Sequence, residues 1–216
     1  MHRQDIIVKT WPFLLISVMY IITAMVLGKL FGEDGFHLIL NKYHHPIADG
    51  FFSFYTKTGE WFFGAALFLW LIWKSNFRMI LIFITSAFLQ AVTVQSLKRL
   101  LFVDHLRPAH YFQEKGIELH LIEGIKQGIT YTFPSGHAAT GFFIFMFLAI
   151  LIKNRIYQAV LAIFAVLTAF SRMYLSQHFV LDTAAGAFIG ISIVIFAYYF
   201  WYWIQLPFLN DKLIKK

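Results

Sequence analysis

Of the 216 residues, 59% are apolar and only 13% charged, and 26 are phenylalanine. A soluble domain carries about 25% charged residues, so the composition excludes a water-soluble enzyme and a disordered chain. The absence of cysteine excludes a disulfide scaffold and thiolate chemistry. The formal charge of +7 in so apolar a chain serves membrane topology first, and no nucleic-acid partner is expected.

A membrane-crossing helix needs roughly 20 mainly apolar residues, within about 17–25. Six segments approach this, and they predict an all-α, six-helix transmembrane bundle. The first runs from Trp11 to Gly28; its apolar run is too long for a signal peptide and no clean cleavage site follows. The second, Trp61 to Trp73, is short unless its helix begins earlier, around Phe51–Thr58. The third spans Met79 to Ser96, the fourth about Ala138 to Ile152, and the fifth Ile156 to Phe170. The sixth, Thr183 to Ile204, ends in YYFWYW, a cluster suited to a membrane interface. Gln90 and Gln95 inside the third segment read as helix–helix contacts. Between the third and fourth segments, His110 to Thr130 mixes Glu114, Glu118, Glu123 and Lys126 with apolar residues. It reads as an interfacial helix or lid on the outer face. His44-His45 and Asp49 fall in the first outer loop, where an interfacial role outweighs one at a substrate rim. Without a repeat or a low-complexity linker, residues 1–216 form one domain.

Lys and Arg in short loops set orientation. With the N-terminus inside, the inner segments hold Arg3, Lys9, Lys74, Arg78, Lys153, Arg155, Lys212, Lys215 and Lys216. The outer ones hold an equal number: Lys29, Lys42, Lys57, Lys98, Arg99, Arg107, Lys115, Lys126 and Arg172. Density breaks the tie, because the inner charges crowd into tiny loops and short termini. Both termini are therefore expected in the cytoplasm.

Three polar motifs then fall at the outer ends of the segments. They are Lys98 with Arg107-Pro108, Pro134-Ser135-Gly136-His137, and Ser171-Arg172 followed by His178 and Asp182. Lys98, Arg107 and Arg172 make a cradle for a tetrahedral anion, and Arg suits phosphate through its bidentate fork. Ser135, Gly136 and His137 open a helix, where free N–H groups and the dipole favour anions. His178 and Asp182, four apart, share a face on a helix, so the carboxylate can hold one ring nitrogen as N–H and free the other to attack. His137 is the remaining group able to protonate a departing oxygen. Singly, a His-x-x-x-Asp pair is most often a surface contact and a helix-end Arg an interfacial anchor. Their joint occurrence at one depth points to phosphoryl transfer, since ionisable residues at membrane segments are rare unless functional. No metal-ligand spacing of the zinc type occurs, so no metal or other cofactor is expected.

These motifs resemble the type 2 phosphatidic acid phosphatase family, membrane lipid phosphatases that share their site with vanadium haloperoxidases. The family pattern is Lys-x6-Arg-Pro, Pro-Ser-Gly-His and Ser-Arg-x5-His-x3-Asp; the last two match letter for letter, and the motifs span residues 98–182. The resemblance implies that His178 is the nucleophile, Asp182 its orienting group and His137 the general acid. It implies that Lys98, Arg107, Ser135, Gly136 and Arg172 bind phosphate. The first motif departs, with eight residues between Lys98 and Arg107 rather than six. Nine positions along a continuous helix land on opposite faces. The two cations converge only if the helix breaks, with Val103-Asp104-His105 the expected place and Arg99 the alternative cation.

The expected activity is metal-independent hydrolysis of a lipid phosphate or diphosphate monoester through a phosphohistidine, in a bacterial inner membrane with the site on the periplasmic face. Undecaprenyl diphosphate and phosphatidylglycerol phosphate lead the substrates, with phosphatidic acid and lipid A also open. The same residues would serve a phosphotransferase with another acceptor. A lipid-phosphate carrier is the reading from another class, against which an intact nucleophile weighs.

Overall fold

A computed structural model describes residues 5–213, so Arg3, Lys215 and Lys216 of the charge tally lie outside the described residues. The elements in order are α1 (Ile6–Lys9), α2 (Trp11–Asn41), α3 (Pro46–Tyr55), α4 (Trp61–Lys74), α5 (Phe77–Ser96), α6 (Pro108–Glu114), α7 (Gly136–Leu151), α8 (Arg155–Tyr174) and α9 (Val180–Trp203). A 3₁₀ turn, Thr56–Gly59, joins α3 to α4, and a π-helical turn, Leu97–Leu101, extends α5. The described residues contain no strand, only an isolated bridge between Asn76 and Lys212.

Four helices are long and apolar enough to cross a membrane: α2, α5 with its π turn, α8 and α9. The shorter α4 and α7 have 14 and 16 residues, below the usual spanning length. The Phe51–Thr58 stretch does not lengthen α4. It forms α3 and the 3₁₀ turn, and Glu60, extended at φ −91° and ψ 159°, separates it from Trp61. By contrast α2 runs well past Gly28. Gly32, at φ 68°, breaks its helical geometry, a backbone state that only glycine adopts without strain. Residues 33–41 continue beyond that kink as the C-terminal part of α2.

The core centres on α7. Phe142, Met146, Phe147 and Ile150 are buried there against Ile82 and Phe83 of α5, Ala162, Ala165 and Ala169 of α8, and Ala187 and Val194 of α9. Contact between α7 and α9 is set by Gly186 and Gly190. A Cβ at Gly186 would lie 2.4 Å from the Ser135 carbonyl, and one at Gly190 would lie 2.4 Å from that of Ala139. Four-residue spacing of glycines allows such close backbone approach between membrane helices. At the other end of the bundle, the buried Arg78 donates to the carbonyls of Trp201 and Ile204. It thereby satisfies the last carbonyls of α9, which have no partner within the helix.

The motif-bearing ends of α5, α7, α8 and α9 therefore meet at one end of the bundle. One further bond fixes their register: the Ser135 N–H donates to the Asp182 carbonyl at 2.9 Å. The 108–134 region begins as α6, continues as irregular chain, and reaches this end through Gln127, which donates to the Leu175 carbonyl, and Thr132, which donates to Asp182.

Candidate active site

Regular α-helical hydrogen bonding in α5 gives way at Leu97, and the Phe102 N–H reaches back five residues to the Leu97 carbonyl at 3.0 Å. The helix ends at Leu101 and the chain turns through Val103 and Asp104. Arg107 then caps α6, its own N–H held by the Ile129 carbonyl at 2.9 Å. The π turn and the break bring Lys98 and Arg107 to the same cavity despite their nine-residue offset. Lys98 is buried and donates to the Tyr131 carbonyl, whereas Arg99 is exposed at the cavity mouth.

That cavity, of about 570 Å³, is lined by Lys98, Arg107, Gly136, His137, Arg172 and His178 among others. Arg107 donates through Nε to the Thr130 carbonyl at 3.1 Å and through Nη1 to Gln177 Oε1 at 2.9 Å. Arg172 donates through Nη1 to Thr56 Oγ1 at 2.5 Å and through Nη2 to the same Gln177 oxygen at 3.3 Å. One neutral amide thus tethers two guanidinium groups without cancelling their charge. Among the described residues, no carboxylate forms an ion pair with Lys98, Arg107 or Arg172. The buried Arg172 Nε has no hydrogen-bond partner among the described residues. Burying charge without a directly paired counter-charge is costly, and an anion in the cavity would offset that cost.

The Ser135 hydroxyl caps α7 by accepting from the Ala138 N–H at 3.3 Å. The N–H groups of Gly136 and His137, in the first turn, have no carbonyl within the helix. A Cβ at Gly136 would meet only Val94, at 3.7 Å. Protein packing therefore does not demand glycine here; the space beside it is cavity.

His178 does not share a helix face with Asp182. It lies in the tight loop between α8 and α9, its N–H bonded to the Arg172 carbonyl at 3.2 Å, while Asp182 sits in the first turn of α9. The two still meet, because the chain enters the helix between them. His178 Nδ1 is 3.4 Å from Asp182 Oδ2, which also accepts the Phe179 N–H at 2.8 Å. Thr132 bridges the pair, donating to Asp182 Oδ2 and lying 3.3 Å from His178 Nδ1. Burial, reinforced by Arg107, Lys98, Arg172 and His137, holds the His178 pKa well below the usual imidazole value. The lowered pKa favours the neutral ring, whose Nδ1 faces Thr132 and Asp182. Burial also pulls Arg107 down, against the opposing pull of Asp182.

Ser135 and Asp182 stand behind the cavity and the other six sequence-derived candidates line it. Sequence reasoning missed Thr132, Gln177 and Thr56. Gln177 had a signal, since it immediately precedes His178 inside the third motif; Thr56 had none. Gln90 makes an interhelical bond to Thr140 at 3.1 Å, but Gln95 is exposed at the cavity.

The cavity continues sideways. It shares Val94, Gln95, Gly136 and His137 with an adjoining space of about 280 Å³. That space shares Trp61, Gln90, Ala91 and Thr140 with an apolar groove of about 390 Å³ between α4, α5 and α7.

A family model described as the PAP2 superfamily matches residues 79–206, more than half of the chain. The chain belongs to the PAP2 superfamily. The lipid A 4'-phosphatase of Porphyromonas gingivalis is 26% identical over 170 residues, covering 77% of this chain and 71% of the relative. That of Bacteroides thetaiotaomicron is 29% identical over 160 residues, covering 71% and 69%. The crystal structure of Aquifex aeolicus LpxE aligns with TM-score 0.64 and 28% identity, over 74% of this chain and 91% of that one. A transmembrane PAP2-type phosphatidylglycerolphosphate phosphatase from Bacillus subtilis aligns with TM-score 0.63 over 88% and 98%; at 18% identity it bears on the fold alone. With its four apolar helices, this PAP2 chain is an integral membrane protein.

Proposed function

We propose that this PAP2 protein is a metal-independent lipid phosphatase. The observation that carries the reading is the buried cluster of Lys98, Arg107 and Arg172, without an ion pair among the described residues, around a cavity lined by His178. In the proposed reaction, His178 Nε2 attacks phosphorus and the bond to the lipid oxygen breaks. His137 delivers a proton to that oxygen. Water then cleaves the phosphohistidine, its proton passing to His137. The three cations and the N–H groups of Gly136 and His137 hold the phosphoryl oxygens throughout, and Thr132 and Asp182 keep the imidazole in its attacking tautomer.

The apolar groove beside the cavity favours a substrate whose tail stays in the bilayer while its phosphate reaches the cations. Two curated relatives act on lipid A at its 4'-phosphate, as their names state. A phosphate monoester on an acylated sugar therefore moves ahead of undecaprenyl diphosphate and phosphatidylglycerol phosphate. We further propose that α4 and α7 complete a six-span bundle formed by residues 1–216 as one domain. The burial of α7 on most sides lets it span without presenting a full lipid-facing length. The 108–134 region would act as a lid on the periplasmic face of an inner membrane.

Phosphate release by the purified protein in detergent tests the reading. The panel comprises lipid A, phosphatidylglycerol phosphate, undecaprenyl diphosphate and a tail-less sugar phosphate. We expect the acylated sugar phosphate to give the highest kcat/KM, following the two lipid A 4'-phosphatase relatives. Every tailed substrate should exceed the tail-less ester, since each buried methylene contributes about 0.8 kcal/mol. Equal turnover of the tail-less ester would overturn it.

A further inference from the structure

The first outer loop and the chain following α6 meet at a cluster separate from the phosphate cavity. His44 Nδ1 lies 2.9 Å from Asp49 Oδ1, and His120 Nε2 lies 3.2 Å from Asp49 Oδ2. The two imidazole rings are 4.1 Å apart between centroids. One donor atom from each of the three residues lies within 4.8 Å of the others. The three come from separate stretches: the turn after α2, helix α3, and the irregular segment beyond α6. We propose that His44, Asp49 and His120 form a site for a divalent metal ion of the zinc class, which clasps the segment carrying His120 onto the first outer loop.

The donor set and its spacing support this. Two imidazoles and one carboxylate form a recognised zinc ligand set, with water in the fourth position. Bonds of about 2.0–2.2 Å in a tetrahedron put neighbouring donors about 3.3–3.6 Å apart. The 2.9 and 3.2 Å contacts to the two Asp49 oxygens are slightly shorter, and all three donor atoms lie within 4.8 Å, so small side-chain shifts admit an ion. His120 is half exposed, which leaves an open side for water and for the ion to arrive. The supporting shell is also present, and such partners fix ligand orientation. Asn41 grips His120 by its backbone, with Oδ1 accepting its N–H at 2.9 Å and Nδ2 donating to its carbonyl at 3.0 Å. The Tyr174 hydroxyl donates to Asp49 Oδ1 at 2.5 Å. When the ion binds, the ring protons facing Asp49 are displaced. His44 then carries its proton on Nε2 and gives up a 3.3 Å contact with Asn41 Nδ2.

None of the three residues lines the phosphate cavity, so the ion takes no part in phosphoryl transfer. The inference does not depend on the phosphatase reading. Its effect is on order: the clasped segment leads to Thr130 and Thr132, which hold Arg107 and Asp182. A hydrogen-bonded His–Asp–His triplet with no metal is the competing account.

The test uses the full chain in detergent, stripped with chelator, desalted, and titrated with Zn²⁺ against a chromophoric competitor. We expect one zinc ion per chain, with affinity reduced at least about tenfold in His120→Ala and in His44→Ala. Zinc should also slow trypsin cleavage after Lys115 and Lys126 in the parent and leave the rate unchanged in His120→Ala. Because His120 sits on an exposed segment, the variant's metal-free thermal midpoint should match that of the parent, which separates loss of the site from loss of the fold. A parent chain that binds no zinc, or a His120→Ala chain that binds it as tightly as the parent, overturns the proposal.

Discussion

Replacing Thr132 with valine tests how the proposed nucleophile is held. Valine preserves the shape of this buried side chain and deletes one oxygen. In the parent, that oxygen donates to Asp182 Oδ2 and lies 3.3 Å from His178 Nδ1. The direct His178–Asp182 contact, at 3.4 Å, is the longer of the two made by the ring. Among the described residues, losing the hydroxyl leaves the Asp182 side chain with the Phe179 N–H at 2.8 Å and the longer His178 contact. A hydrogen bond to a charged group is worth about 1.5–3 kcal/mol, and every 1.36 kcal/mol is a factor of ten in rate. Turnover should therefore fall by roughly 10- to 150-fold. Thr132 does not line the cavity, so the loss should appear in kcat with KM little changed, and Thr132→Ser should restore most of it. Steady-state phosphate release from a lipid phosphate monoester in detergent micelles provides both constants. A valine variant as fast as the parent, or one altered only in KM, would refute the bridging role.

Removing the imidazole altogether, in His178→Ala, should abolish turnover while the protein still inserts and elutes as a folded species; activity within a few-fold of the parent would sink the assignment. Vanadate, a mimic of the transferring phosphoryl group, should inhibit competitively, and Arg172→Lys should weaken it by losing the fork geometry; equal inhibition of both proteins would count against the cradle. Folding holds the His178 pKa well below its unfolded value of about 6.5. The unfolded chain therefore binds the extra proton, and stability is retained above that pH and lost as pH falls below it. Thermal midpoints measured on the acid side should drop more steeply for the parent than for His178→Ala, and parallel slopes would contradict this. Gly190→Ala places a Cβ 2.4 Å from the Ala139 carbonyl, an overpacking that should cost about 1–3 kcal/mol; an unchanged thermal midpoint would show that the seam yields.

The sequence carried the motif-bearing helix ends because ionisable residues stand out at the ends of apolar runs. It also located the break after α5, since a nine-residue offset cannot converge on an unbroken helix. Two features escaped it. The split between α3 and α4 depends on an extended Glu60, and nothing in the apolar pattern of that region marks it. Thr132 and Thr56 act through contacts formed only after folding, 50 residues from Asp182 and 116 from Arg172. The helix-face explanation for His178 and Asp182 paired the right residues for the wrong local reason, because equal spacing is also met by a loop feeding a helix.

The glycine seam between α7 and α9 divides the molecule into a part that tolerates little change and a part that tolerates much. His137 and Asp182 project from the two helices locked by Gly186 and Gly190. A substitution on that side would displace the proposed acid and orienting group. Across the cavity, Gly64, Ala65, Ala87 and Ala91 line the apolar groove without touching the cation cluster. Their small side chains leave room that other side chains can fill, so under the proposed reading tail selectivity would shift with substitutions along α4 and α5 while the proposed reacting groups stay in register.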